Sequence, residues 1–225
     1  MTRETPLFVH IIGLEGCGHH GLFPILRQAV IETHGGDNDN RFFRNRPRNA
    51  FNGMYCRDYS KSDCIRGAVD FLGKIPSDSI MLEDNSYPSG NYRDVLNQWD
   101  IHEIYHILKD HCEVRFAHLT RNIFNMVNSR REFDASLQAH AEKMAEIGRY
   151  IDSKMADLEA EGVTITQLNY DDLENQSAEI GALIDCPADA VNKAIAEQFK
   201  KSTKDYHDLL TEDEIQGIKN AFGLN

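Results

Sequence analysis

The sequence has no apolar run near the roughly 18 residues needed to cross a bilayer. Its longest early run, Leu7–Leu14, ends among glycines. It is also too short for a secretory signal, so a soluble, cytoplasmic protein with no membrane span is expected. Cysteines are sparse: five in 225 residues, widely spaced at Cys17, Cys56, Cys64, Cys112 and Cys186. An odd number and no CxxC pair argue against a disulfide framework or a cysteine-only zinc site, and reduced thiols fit better. An excess of positive charge is missing too. The formal net charge is -12, which argues against general nucleic-acid binding through phosphates. A local basic site for a small anion stays open.

What is present suits a globular protein, with 41% hydrophobic and 27% charged residues. Leu7–Leu14 (LFVHIIGL) is short, apolar and β-branched, and reads as a buried strand. Residues 35–59 are polar, basic and turn-rich, and read as a long surface loop. Lys61–Lys74, Tyr92–His111, Ile123–Arg131 and Leu137–Glu161 have helical patterns. Ser79–Glu83, Val114–Leu119 and Val163–Leu168 read as further strands. Asn175–Leu224 reads as mostly helical, with Pro187 and Thr211 near helix starts. Strands alternating with helices predict a three-layer α/β/α fold with a mostly parallel sheet of four or five strands. Neither a repeat nor a linker divides the chain, so residues 1–225 form one expected domain.

The first strand runs into GLEGCGHHG and then a helix. Helix N-termini present unpaired N–H groups and a dipole that favours anions, and glycines let backbone approach a phosphate closely. Gly16, Cys17, Gly18, His19, His20 and Gly21 are therefore candidate phosphate contacts. The loop is not a Walker A sequence, because His19 and His20 follow Gly18 where Lys and Ser or Thr would stand. The GxGxxG dinucleotide fingerprint also fails to match. A second anion element follows the third strand, in HLTRNIFNMVNSRR. Arg121 falls at the strand's carboxyl end, and Ser129 lies about two turns along the predicted helix. Together they can offer a guanidinium fork and a hydroxyl to one phosphate.

In combination these elements resemble the sulfotransferase family, which uses 3′-phosphoadenylyl sulfate (PAPS) as donor. The family pairs a strand and loop for the 5′-phosphate with an Arg and a Ser, eight residues apart, for the 3′-phosphate. Its RDP…SR-like segment is similar to Arg121-Asn122-Ile123 through Ser129-Arg130. QLNYDDL (Gln167–Leu173) is similar to its "YEDL" element, and LTEDEIQGIKNAFG (Leu210–Gly223) to its C-terminal "LSPEEL" helix. The resemblance runs in order from residue 7 to residue 223. It implies a P-loop NTPase-like fold, binding of PAPS or adenosine 3′,5′-bisphosphate, and sulfuryl transfer to a hydroxyl or amine of a small-molecule or glycan acceptor. No metal is required. The family loop usually reads PKSGTT or PRSGTT. Here Gly16 stands at its basic residue, Cys17 at its Ser, and His19 and His20 at its two Thr positions. Either another cation replaces that Lys or Arg, with His19, His20 and Arg27 as candidates, or activity is weak or lost.

Sulfuryl transfer also needs a base within hydrogen-bond reach of the acceptor. Glu83 and Asp84, ending the second predicted strand, are the candidates, with Glu83 preferred. The run Arg41–Arg48 and Lys200, Lys201 and Lys204 are further basic elements. The non-catalytic alternative is a phosphonucleotide-binding protein of the same fold. A zinc metallopeptidase is the remaining one, through His102-Glu103-Ile104-Tyr105-His106, which spells HExxH. The extended motif fails, because Lys109 and Cys112 replace its Gly and last His. A downstream Glu on another helix would serve as third ligand, but nothing in the sequence marks one.

Overall fold

β1 (Leu7–Ile12) is buried at every position because it is the central strand of a sheet covered on both faces. β2 (Phe42–Arg44), β3 (Ile80–Glu83), β4 (Glu113–Thr120) and β5 (Ile165–Asn169) complete that sheet, in the order β2-β3-β1-β4-β5. Every pairing is parallel, with Leu7 opposite both Ile80 and Glu113 and with Phe116 opposite Ile165. The structure is a computed structural model that describes residues 3–34, 42–44, 61–84, 86–87, 100–129, 131, 134–200 and 205–224.

Parallel strands require crossovers, and the helices that make them form the outer layers. On one face Leu7, Val9 and Ile11 meet α1 (His19–His34) through Leu22, Ile25 and Leu26. The same core takes in α6 (Ser177–Ile184) and α7 (Ala188–Gln198). On the other face Phe8 and Met81 meet α2 (Lys61–Leu72) and α3 (Ile101–Leu108). Ile12 and Phe116 pack there against Ile147 and Ile151 of α5 (Leu137–Ala160). The short α4 (Ile123–Asn128) follows β4, and α8 (Glu212–Phe222) closes the chain. Thr211 begins α8 with a capping box to Glu214, and Pro187 is the N-cap of α7, as the helix-start signals predict. Among the described residues no helix is long and apolar enough to cross a membrane.

Two readings of the sequence need correction. Residues 42–44, within the expected loop, form the edge strand β2. Three residues give too short a pattern to register, and Phe42 is held by tertiary contact with Phe23 of α1, the rings stacked at 6.1 Å. The helix expected through Arg131 ends at Asn128, with Ser129 as its C-cap. The rest of the Arg41–Arg48 run, residues 88–99, Lys201 and Lys204 lie outside the described residues.

Open parallel sheets of this kind take ligands where the strand order reverses. The chain leaves β1 towards β2 on one side of the sheet and leaves β4 towards β5 on the other. A crevice therefore opens between the carboxyl ends of β1 and β4.

Candidate functional site

Both predicted anion elements arrive at that crevice. The loop 13–18 leaves β1, and Arg121 follows the last residue of β4. Gly16 and Gly18 have φ of 90° and 103°, the left-handed region where a side chain is strained. At each a second reason excludes a side chain. A Cβ on Gly16 would lie 2.5 Å from Ser129 Oγ and 2.8 Å from the Met126 carbonyl oxygen. A Cβ on Gly18 would lie 2.2 Å from the Tyr170 ring, and one on Gly21 would lie 2.3 Å from its hydroxyl. Gly16 is thus where the end of α4 crosses the loop, and Tyr170 lies across Gly18 and the first turn of α1. The Gly18 carbonyl accepts from the N–H groups of Gly21 and Leu22, 2.9 and 3.1 Å away. Among the described residues nothing accepts from the N–H groups of Gly18, His19 or His20. Those donors, at the positive end of a 16-residue helix, are the ones an anion would take.

Arg121 reaches across the crevice. Its Nη1 donates to the Gly16 carbonyl at 3.1 Å, and its guanidinium lies 5.2 Å from the centre of the Tyr170 ring. Its Nε is 3.7 Å from Asp171 Oδ1 and has no hydrogen bond. Asp171 is itself fixed, accepting from the Asn122 N–H at 2.7 Å. Ser129 donates to the Met126 carbonyl at 2.7 Å and borders Gly16 from the other side. Arg121 and Ser129, both named from sequence, therefore meet on one loop residue. Tyr170 and Asp171 orient Arg121. The YDDL element marked their segment, but no signal assigned them that role. A cavity of about 230 Å³ opens beside Arg121, lined also by Cys17, His118, Arg149 and Asp152. Whole ligand sites run to roughly 300–1,000 Å³, so this space suits part of a nucleotide. Burial pushes the Cys17 thiol up to about 12, so it stands there as a small apolar group.

The acid–base candidates divide. Glu83 is the register partner of His10 and shares its face of the sheet, and both are buried. His10 sits between the rings of Phe8 and Phe116, at 5.9 and 5.8 Å. Asp84, the next residue and also buried, acts electrostatically on His19, as does Glu15. Ser86 donates to Glu15 at 2.6 Å, and the Glu15 N–H donates to the Tyr87 carbonyl at 2.7 Å. These contacts join the stretch after β3 to the loop. His19 is buried and its ring bonds the Ile11 carbonyl, while its Nε2 has no partner. Burial lowers its pKa to about 4 against the opposing pull of Asp84. His19 is therefore neutral near pH 7. It cannot supply the missing positive charge. His20 is exposed at the same helix end. Arg27 lines a separate hollow with Phe23 and Ile31 of α1 and Gln198 at the end of α7.

The two buried histidines carry a pH prediction. Burial lowers His10 to about 3 and His19 to about 4. The unfolded chain gains these protons near pH 6.5 and the folded chain does not, so stability is lost as pH falls from 6.5 towards 4. Each histidine costs about 1.4 kcal/mol per pH unit in that window. Urea unfolding at pH 7 and pH 5 should differ by about 4 kcal/mol from the pair, and His10→Leu should remove about half of that difference. Equal stability at the two pH values would contradict it.

A parallel sheet in this order, with a glycine cradle and an arginine at its switch-point crevice, defines an α/β protein of the P-loop-like class. No family model matches the chain, and no curated protein sequence matches it. Among solved structures, the sulfotransferase domain of the olefin synthase from Synechococcus PCC 7002 superposes with a TM-score of 0.51 at 13% identity. The superposition covers 100% of this chain and 97% of that one. The fold is therefore sulfotransferase-like, and at that identity the likeness is one of fold.

Proposed function

We propose that the protein is a sulfotransferase that accepts PAPS and passes its sulfuryl group to a hydroxyl or amine of a small-molecule or glycan acceptor. The observation that carries the reading is the meeting of Arg121 and Ser129 on Gly16, beside a helix N-terminus with open N–H donors. Two anion sites so close suit a nucleotide with phosphates at both ends of its ribose. Gly18, His19 and His20 take the 5′ end, and Arg121 with Ser129 takes the 3′-phosphate. PAPS supplies the activated sulfuryl group. The chain supplies position, hydrogen bonds to developing charge, and a base. We assign the base to the Asp84–His19 pair rather than to Glu83. Asp84 acts electrostatically on His19 at the start of α1, where the loop lies, and the buried His19 Nε2 has no hydrogen-bond partner.

The non-catalytic reading is favoured by one observation. Gly16 not only lacks the family's cation but has no room for one. The two readings part in a transfer assay. PAPS labelled in the sulfate is incubated with a panel of phenols, sugars and amines. A sulfotransferase labels at least one acceptor and releases adenosine 3′,5′-bisphosphate, and Asp84→Asn lowers that rate at least tenfold. Bisphosphate binding without transfer to any acceptor would leave a binding protein.

A further inference from the structure

The HExxH segment has no part in the donor site, yet the fold gives it the partner that the sequence did not mark. His102 and His106 lie one turn apart on α3, and Glu161 follows the last residue of α5. Their ligand atoms all lie within 4.8 Å of one another. The two Nε2 atoms are 3.3 Å apart. His106 Nε2 is 3.1 Å and 3.0 Å from the two oxygens of Glu161, and His102 Nε2 bonds the same carboxylate. We propose that His102, His106 and Glu161 bind a zinc-class divalent ion that ties α3 to α5.

Three features support this. The first is spacing. Zinc bonds to nitrogen and oxygen are about 2.0–2.2 Å, so ligand atoms on a tetrahedron around it lie about 3.3–3.5 Å apart. The imidazole pair already has that separation, and the carboxylate needs only a small movement. The second is chemistry. Two imidazoles and one carboxylate match the borderline softness of zinc, whereas magnesium and calcium prefer oxygen alone. A water would complete the fourth position. The third is preorganisation and access. Asp100 caps α3 by accepting from the Glu103 N–H at 3.1 Å and pairs with Lys154 of α5 at 2.8 Å. The two helices are thus held in register just before the cluster, about two turns of α5 ahead of Glu161. The three side chains are 31%, 38% and 37% exposed, so an ion can enter from solvent.

The position gives the ion a structural role. α3 leads into β4, which Arg121 follows, and Glu161 precedes β5, which Tyr170 follows. A bond between α3 and the end of α5 joins the two segments that carry the arginine and its aromatic support, at the opposite end of the strands from the crevice. This proposal does not depend on the donor reading.

The test uses the full chain, stripped with chelator and titrated with zinc chloride against a chromophoric competitor. One zinc per chain is expected, with a rise in melting temperature of roughly 5–10 °C at a hundredfold excess over Kd. His102→Ala, His106→Ala and Glu161→Gln should each weaken binding at least tenfold, while His111→Ala, on the turn after α3, should not. Cobalt in place of zinc should give the intense visible absorption of a tetrahedral site in the unmutated protein, a readout that needs no variant to fold. Absence of stoichiometric zinc, an octahedral cobalt spectrum, or affinity unchanged by Glu161→Gln and His106→Ala would overturn it.

Discussion

Replacing Arg121 by Ala is expected to weaken adenosine 3′,5′-bisphosphate binding by roughly 10- to 150-fold. The range follows from the 1.5–3 kcal/mol typical of a hydrogen bond to a charged group. Arg121 is the cation that reaches the Gly16 carbonyl from the carboxyl end of β4. It is mostly buried, its Nε has no hydrogen bond, and Tyr170 and Asp171 restrict its plane. A guanidinium held this way has already lost much of its rotamer freedom, so binding a phosphate costs less ordering. Arg121→Lys keeps the charge without the fork and should recover only part of the loss. Melting without ligand separates this effect from stability, because the variant also exposes the Gly16 carbonyl and leaves Asp171 without its ion pair. Unchanged affinity in Arg121→Ala would remove the second phosphate site.

Gly18→Ala is expected to destabilise the fold by about 3 kcal/mol, a fall of roughly 6–12 °C in melting temperature for a chain of this size. The left-handed backbone at φ 103° costs a side chain about 1–2 kcal/mol. The rest comes from the Tyr170 ring, which a Cβ would meet at 2.2 Å. That ring also faces Phe199 at 5.4 Å, so it cannot withdraw freely. The two costs separate in a double-mutant cycle. In a Tyr170→Ala background Gly18→Ala should cost only the backbone term, so the effects should be less than additive. Additive effects would show that Tyr170 does not cover the loop.

Much of the fold was legible because its central strands are buried on both faces and read as short apolar runs. β1 and β3 are of this kind, and the caps at Thr211 and Pro187 announce their helices. β2 was not legible, since three residues among arginines carry no pattern and only Phe23 reveals why Phe42 is extended. The site divides in the same way. Glycines before a helix, and an arginine and serine eight residues apart, are local signals, and the fold brings them together. Contacts across the chain leave no local signal. Gly16 read as a missing cation, and only the crossing of α4 shows that the position excludes any side chain. His10 was hidden inside an apolar strand. Sequence does not tell which of the neighbouring carboxylates Glu83 and Asp84 acts on His19. Glu161 lies 55 residues from His106, and only helix packing joins them.

In the proposed function the crevice between β1 and β4 holds two phosphates of one nucleotide. Calorimetric titration with adenosine 3′,5′-bisphosphate and with adenosine 5′-monophosphate tests it most directly. The bisphosphate should bind one per chain and at least tenfold more tightly, with the advantage lost in Arg121→Ala. Equal affinities, or no heat from the bisphosphate at millimolar concentration, would contradict the account.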